Sequence, residues 1–133
     1  MAKKRIFISY DYDNDKHYKN LLIAWDANKS FDFSCYDLSV DVSVNSTNAT
    51  AIKRVISQRI GDATYFLCII GKKTHKSEWV DWEIKKAVEL KKKLVAVKID
   101  DEFTSPSAIL GVGAGWAMSF TLDSITKAIE AAK

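Results

Sequence analysis

Apolar and polar positions change period several times along this chain, and each change marks an element. Residues 5–10 (RIFISY) are a short apolar, β-prone run and predict a first strand. Asp13, Asn14 and Asp15 follow as candidate helix caps, and Tyr18, Leu21, Leu22 and Trp25 then repeat at i, i+3, i+4, i+7. That spacing predicts an amphipathic helix. Residues 32–36 (DFSCY) predict a short second strand. From 37 to 50 the chain is polar, with Leu38, Val40, Val42 and Val44 in alternation, which fits an edge strand or an open loop. Ile52, Val55, Ile56 and Ile60 predict the next helix, with Gly61 in the place of a C-terminal glycine cap.

The run 65–70 (YFLCII) is apolar throughout, as a central parallel strand buried on both faces requires. A polar loop, 71–76, leads to a helix expected from about 78 to 92, with Val80, Ile84, Ala87 and Val88 as its core stripe. Residues 94–99 (LVAVKI) predict a fourth strand. A glycine-bearing stretch then leads to a weak fifth strand near 117–120. A last helix, capped by Thr121 or Asp123, carries Ile125, Ala128, Ile129 and Ala132 on one face. Strands alternating with helices imply right-handed crossovers and a parallel sheet covered on both sides. The expectation is an α/β, flavodoxin-like three-layer sandwich with five parallel strands in the order 2-1-3-4-5, formed by a single domain over 1–133.

Composition narrows the picture only a little. The 133 residues are 47% hydrophobic and 28% charged, an ordinary globular balance. No apolar run approaches the ~20 residues of a membrane helix, and the apolar run after Met-Ala-Lys-Lys-Arg is too short for a signal-peptide core, so a cytoplasmic protein is expected. The net charge of +3 is weak, and Lys85, Lys86, Lys91, Lys92 and Lys93 read as a solvated helix face. A nucleic-acid or membrane partner is therefore not expected. Cys35 and Cys68 fall in strands about two spacings apart, near 9.6 Å, too far for a disulfide.

Open parallel sheets bind ligands beyond the carboxyl ends of their strands, where strand order reverses. The loops after strands one and three meet there, and they carry Ser9, Tyr10, Asp11 and Asp13 on one side and 71–77 on the other. Several occupants are argued against. No G-x-x-x-x-G-K-[ST] loop occurs, and Gly111-Val112-Gly113-Ala114-Gly115 lies outside the first strand–turn–helix unit. Asp11 and Asp13 repel a flavin phosphate. A phospho-receiver needs an aspartate where Ile70-Gly71 stands. His17 and His75 are isolated, so no metal site and no cofactor are expected. What remains is Glu83, one helical turn after Trp79. By pattern alone it is either a catalytic group or a solvated charge paired with Lys85 or Lys86.

Phe7-Ile8-Ser9-Tyr10-Asp11 resembles the first box of TIR domains, and Trp79-Val80-x-x-Glu83 resembles the W-x-x-x-E pattern on the catalytic helix of TIR NADases. The segment 37–50 falls where that family has its BB loop. The bare domain and the Ser-x-Trp-Val-x-Trp-Glu-Ile run are similar to the TIR-like proteins of bacterial Thoeris anti-phage systems. The resemblance implies cleavage of the nicotinamide–ribose bond of NAD, with NAD as substrate, often with cyclisation of ADP-ribose into a signal for a separate effector protein. Nicotinamide leaves as a neutral molecule, so no acid is needed at the leaving group. One carboxylate suffices to stabilise the oxocarbenium-like transition state. On this reading Glu83 is catalytic, and Ser9, Tyr10, Asp11, Lys72 and Trp79 bind the substrate. Each has a plainer alternative: Ser9 structural, Lys72 solvated, Trp79 packed beside the core.

The rival reading is a non-enzymatic TIR-like interaction module that self-associates through 37–50, which is also where an enzyme of this family would assemble. A flavodoxin-like or receiver-like regulator is the third, and the loop residues argue against it.

Overall fold

A computed structural model describes residues 4–27, 33–36 and 49–132. The stretch expected to serve as a contact loop, 37–50, lies outside them apart from its last two residues. Five strands, β1 (Lys4–Ser9), β2 (Phe33–Tyr36), β3 (Tyr65–Ile70), β4 (Lys93–Lys98) and β5 (Gly115–Ala117), pair in the order β2-β1-β3-β4-β5. Every pairing is parallel. Four helices accompany them: α1 (Tyr12–Ala27), α2 (Ala49–Asp62), α3 (Glu78–Glu89) and α4 (Leu122–Ala131). The α/β class and the parallel sheet match the expectation from sequence.

Two core layers form on opposite faces of the sheet, and strand alternation sorts residues between them. Ile6, Ile8 and Tyr10 pack with Leu22 of α1 and with Ile125, Ala128 and Ile129 of α4. Phe7 faces the other way, stacked on Phe66 with ring centroids 5.7 Å apart, among Ile56 and Ile60 of α2 and Val80, Ile84 and Ala87 of α3. All six side chains of β3 are buried, as its uninterrupted apolar run requires. Strand β1 lies between the strands that carry Cys35 and Cys68, and Cys68 is a free, buried thiol. No helix among the described residues is long and apolar enough to cross a membrane.

Several local expectations need correction. Helix α1 begins at Tyr12, and Asp11 sits at its cap position: the Asp11 carbonyl accepts from the amides of Asn14 and Asp15. Asp13, Asn14 and Asp15 are thus inside the helix rather than before it. Gly61 does not end α2 in a left-handed turn; the helix runs through it to Asp62, and its carbonyl accepts from Lys92 Nζ at 2.8 Å. Helix α3 stops at Glu89 rather than 92, because Lys91 turns the backbone left-handed at φ 59°. Val88 is 39% exposed and not core. The apolar stripe repeats at i, i+4 and i+7 as Val80, Ile84 and Ala87, and the i+3 position belongs to Glu83. Strand β5 starts at Gly115, earlier than 117–120, because Gly115 lets the strand approach the backbone of α4: a Cβ there would lie 2.0 Å from the Ala128 carbonyl oxygen. Of the two candidate caps of α4, Thr121 is the one used, accepting from the Ser124 amide at 3.1 Å.

Candidate functional site

The carboxyl ends of β1 and β3 lie side by side, with Ser9 in register with Cys68. Two junctions leave this edge. The first, Tyr10-Asp11, passes directly from β1 into α1. The second is longer: it leaves β3 at Gly71, makes a 3-10 turn over Thr74–Lys76 and enters α3 through Ser77. The Ser77 hydroxyl accepts from the Val80 amide at 3.2 Å, which fixes the start of the helix.

Glu83 stands one and a half turns into α3, on the face turned to the sheet, and is only 6% exposed. The Ser9 hydroxyl donates to Glu83 Oε1 at 2.7 Å, a buried, charge-compatible hydrogen bond between the end of β1 and the middle of α3. Period-2 alternation places Ser9 on the same side of the sheet as Phe7, and therefore under α3. Glu83 is not the solvated glutamate of the plainer reading. Lys85 pairs with Asp81 at 2.9 Å and Lys86 with Glu89 at 2.9 Å, both at the surface. Buried carboxylates are rare without a role in binding or catalysis or a paired network.

The other residues singled out by sequence fall in different places. Trp79 is half-buried against the same core layer as α3, its ring edge-on to Trp82 with centroids 6.0 Å apart. Asp11 is partly buried and accepts from Asn14 Nδ2 at 2.6 Å. Asp11, Asn14, Lys73, Lys76 and Ser77 line a shallow depression between the two junctions. Lys72 is exposed in the turn after β3 and is not part of that lining. Tyr10 is 8% exposed in the core layer on the opposite face, with Lys19 Nζ 5.8 Å from its ring centre. The structure therefore brings Ser9 to Glu83, sets Asp11 at the mouth between the junctions and turns Tyr10 away.

A second buried polar group lies beside the first. Asp15 is 5% exposed and Thr74 is fully buried. Thr74 Oγ1 accepts from the Gly71 amide at 2.7 Å and lies 3.1 Å from Asp15 Oδ2. Burial pushes the Asp15 carboxyl above its ordinary 3.8; the Thr74 hydrogen bond opposes the rise and the Asp11 carboxylate adds to it. From sequence Asp15 is only a candidate helix cap and Thr74 only a loop residue, because nothing in their spacing joins a first-turn aspartate to a distant loop threonine. Burial, then the carboxylates of Glu83 and Asp15, push the Cys68 thiol far up, so it is no nucleophile. No group of three His, Cys, Asp or Glu side chains able to hold a metal occurs among the described residues.

Comparison with known proteins places this architecture. The chain aligns with a CMP N-glycosidase of Clostridium botulinum, BcmB, at a TM-score of 0.58 and 16% identity, over 88% of this chain and 84% of that one. It aligns with a 2-deoxyribosyltransferase of the psychrotolerant bacterium Bacillus psychrosaccharolyticus at 0.60 and 14% identity, over 87% of each. The TIR domains of the activated Roq1 resistosome align at 0.48 and 20% identity, over 72% of this chain and 57% of that one. At these identities the first two likenesses speak to the fold alone. No curated protein sequence matches the chain. The family described as Thoeris protein ThsB, TIR-like domain, matches residues 7–103, which span β1 to the loop after β4 and include both junctions. The chain belongs to this TIR-like family of Thoeris ThsB proteins.

Proposed function

We propose that this TIR-like domain cleaves the bond between nicotinamide and ribose in NAD and releases an ADP-ribose-derived signal, linear or cyclic, for a separate effector in anti-phage defence. The observation that carries the reading is Glu83: a buried carboxylate, held by the Ser9 hydroxyl at 2.7 Å, at the ligand-binding edge of the sheet. The bond that breaks joins a cationic pyridinium nitrogen to C1 of the ribose. Its electron pair stays with nicotinamide, which departs neutral, and positive charge develops on the sugar. A fixed carboxylate in a desolvated site stabilises that charge and accepts from ribose hydroxyls. Water, or a nucleophilic atom of the same ADP-ribose, then adds to C1 and gives up its proton.

Ser9 orients Glu83 in the resting site. Asp11 supplies a further acceptor at the mouth, and Trp79, one turn before Glu83 and outside the lining of the depression, supports the helix by packing on the core layer. Lys73 and Lys76, which line the depression, are better placed for the diphosphate than Lys72, which does not. One fold neighbour is named as a CMP N-glycosidase and another as a 2-deoxyribosyltransferase, which is consistent with the reading.

The test is direct. Purified protein, assayed alone and under conditions that assemble it, is incubated with NAD, and nicotinamide is followed by chromatography. Glu83→Gln is expected to lower release at least about a hundredfold. Wild-type protein that leaves NAD intact when assembled, while substitutions in 37–50 abolish its action in cells, would replace this reading with that of an interaction module.

A further inference from the structure

The Ser9–Glu83 hydrogen bond has a companion. Asp15 and Thr74 tie the start of α1 to the second junction. Asp15 lies in the first turn of α1, six residues after Ser9 in sequence and on the helix that β1 feeds. Thr74 opens the 3-10 turn that leads through Ser77 into α3. The three participants fit one another closely. The Gly71 amide donates to Thr74 Oγ1 at 2.7 Å, and Thr74 Oγ1 lies 3.1 Å from Asp15 Oδ2 and 3.3 Å from the Ile69 carbonyl oxygen. A hydroxyl has one proton, and the shorter contact to a carboxylate is the stronger acceptor. Gly71 has no room for a side chain: a Cβ there would lie 2.2 Å from Asp15 Oδ2 and 2.4 Å from Oδ1.

We propose that Asp15 and Thr74 are positioning residues for Glu83, an inference that rests on Glu83 being the catalytic carboxylate. The path from clasp to site is short and stiff. The Thr74 backbone carbonyl accepts from the Ser77 amide at 3.0 Å, the Ser77 side chain caps α3, and the Ser77 carbonyl accepts from the Asp81 amide at 3.1 Å. Glu83 is fixed to that turn of helix. At the other end, the Asp15 amide donates to the Asp11 carbonyl at 2.8 Å, two residues beyond Ser9. The clasp therefore sets the start of α3 against the end of β1, and with it the reach from Ser9 Oγ to Glu83 Oε1. Burying a carboxylate against a neutral hydroxyl weakens a fold, and an apolar contact at this place would hold the helices together at less cost. A costly polar contact beside a reactive site is the pattern expected where geometry, more than stability, is what is being held.

The test uses the full chain. Thr74→Val keeps the shape and removes the hydroxyl, and Thr74→Ser keeps the hydroxyl. In the NAD assay Thr74→Val is expected to lower kcat about tenfold with KM within about twofold, and Thr74→Ser to restore it. Independently of activity, the carboxyl-carbon NMR signal of Glu83, assigned with Glu83→Gln, is expected to move in Thr74→Val and to return in Thr74→Ser. Should Thr74→Val fail to fold, Gly71→Ala is the second variant: its methyl displaces the Asp15 carboxylate and leaves every hydrogen-bonding group in the chain. It is expected to lower kcat and move the Glu83 signal in the same sense. A folded Thr74→Val or Gly71→Ala with unchanged kcat and an unmoved Glu83 signal overturns the proposal. If wild-type protein does not cleave NAD but the Glu83 signal still moves with the clasp, the catalytic reading falls and the positional link between clasp and Glu83 stands.

Discussion

The β1–α1 and β3–α3 junctions leave the same edge of the sheet and are built differently. The first is two residues long and spends them at once: Tyr10 drops into one core layer and Asp11 starts the helix. Its geometry is set by the strand, the helix and their packing. The second takes seven residues and is sewn in place by a hydroxyl at Thr74, a glycine at Gly71 and a cap at Ser77. A long junction has more conformational entropy to lose, so it carries more specific polar contacts. In return it sets a helix at a distance and an angle that a tight turn does not reach. The reactive candidate, Glu83, hangs from the long junction, while the short one contributes its partner Ser9.

If the long junction depends on specific contacts, its loss should be felt most where no slack exists. Gly71→Ala is expected to destabilise the chain by about 1–3 kcal/mol, since the new methyl meets a buried carboxylate. Gly61→Ala is the control. Nothing lies within 4 Å of that Cβ, and the substitution inside α2 should stabilise by about 0.5–1 kcal/mol. Urea titration of both variants checks the pair, and equal effects would erase the contrast between the two sites. Next in size comes the cap: Ser77→Ala is expected to cost about 1 kcal/mol by the same measurement.

The smallest effect is a slope. The folded chain holds the Asp15 proton more tightly than the unfolded chain, because burial raises its carboxyl from 3.8. For an acid this sign means that stability falls as pH rises through the window from the unfolded to the folded value, and that the full penalty persists above it. Asp15→Asn removes that contribution. Its stability relative to wild type should rise as pH climbs from about 4 through the raised folded-state value, measured as urea midpoints at each pH. A constant difference across that range would mean that Asp15 titrates as if unburied.

Much of this was legible in sequence because it rests on period. Alternation in β1 sends Ile6, Ile8 and Tyr10 one way and Phe7 and Ser9 the other. The unbroken apolar run of β3 announces a central strand. Ser77 is readable as a cap, and Trp79 and Glu83 as neighbours on one helix face. The stripe of α3 also marks Glu83 as buried. Val80, Glu83, Ile84 and Ala87 occupy i, i+3, i+4 and i+7, so the carboxylate fills a core slot, and Val88 on the flank does not. What period does not encode is contact across sequence. Asp15 reads as a candidate helix cap and Thr74 as a loop residue, and only the fold shows them 3.1 Å apart.

The absent side chain at Gly71 has a consequence for how this sequence can drift. The space that a methyl would fill is already occupied by the Asp15 carboxylate, so the cost of a side chain at position 71 depends on what stands at position 15. A shorter residue at 15 empties that space, and a methyl at 71 that is costly beside Asp15 then fits.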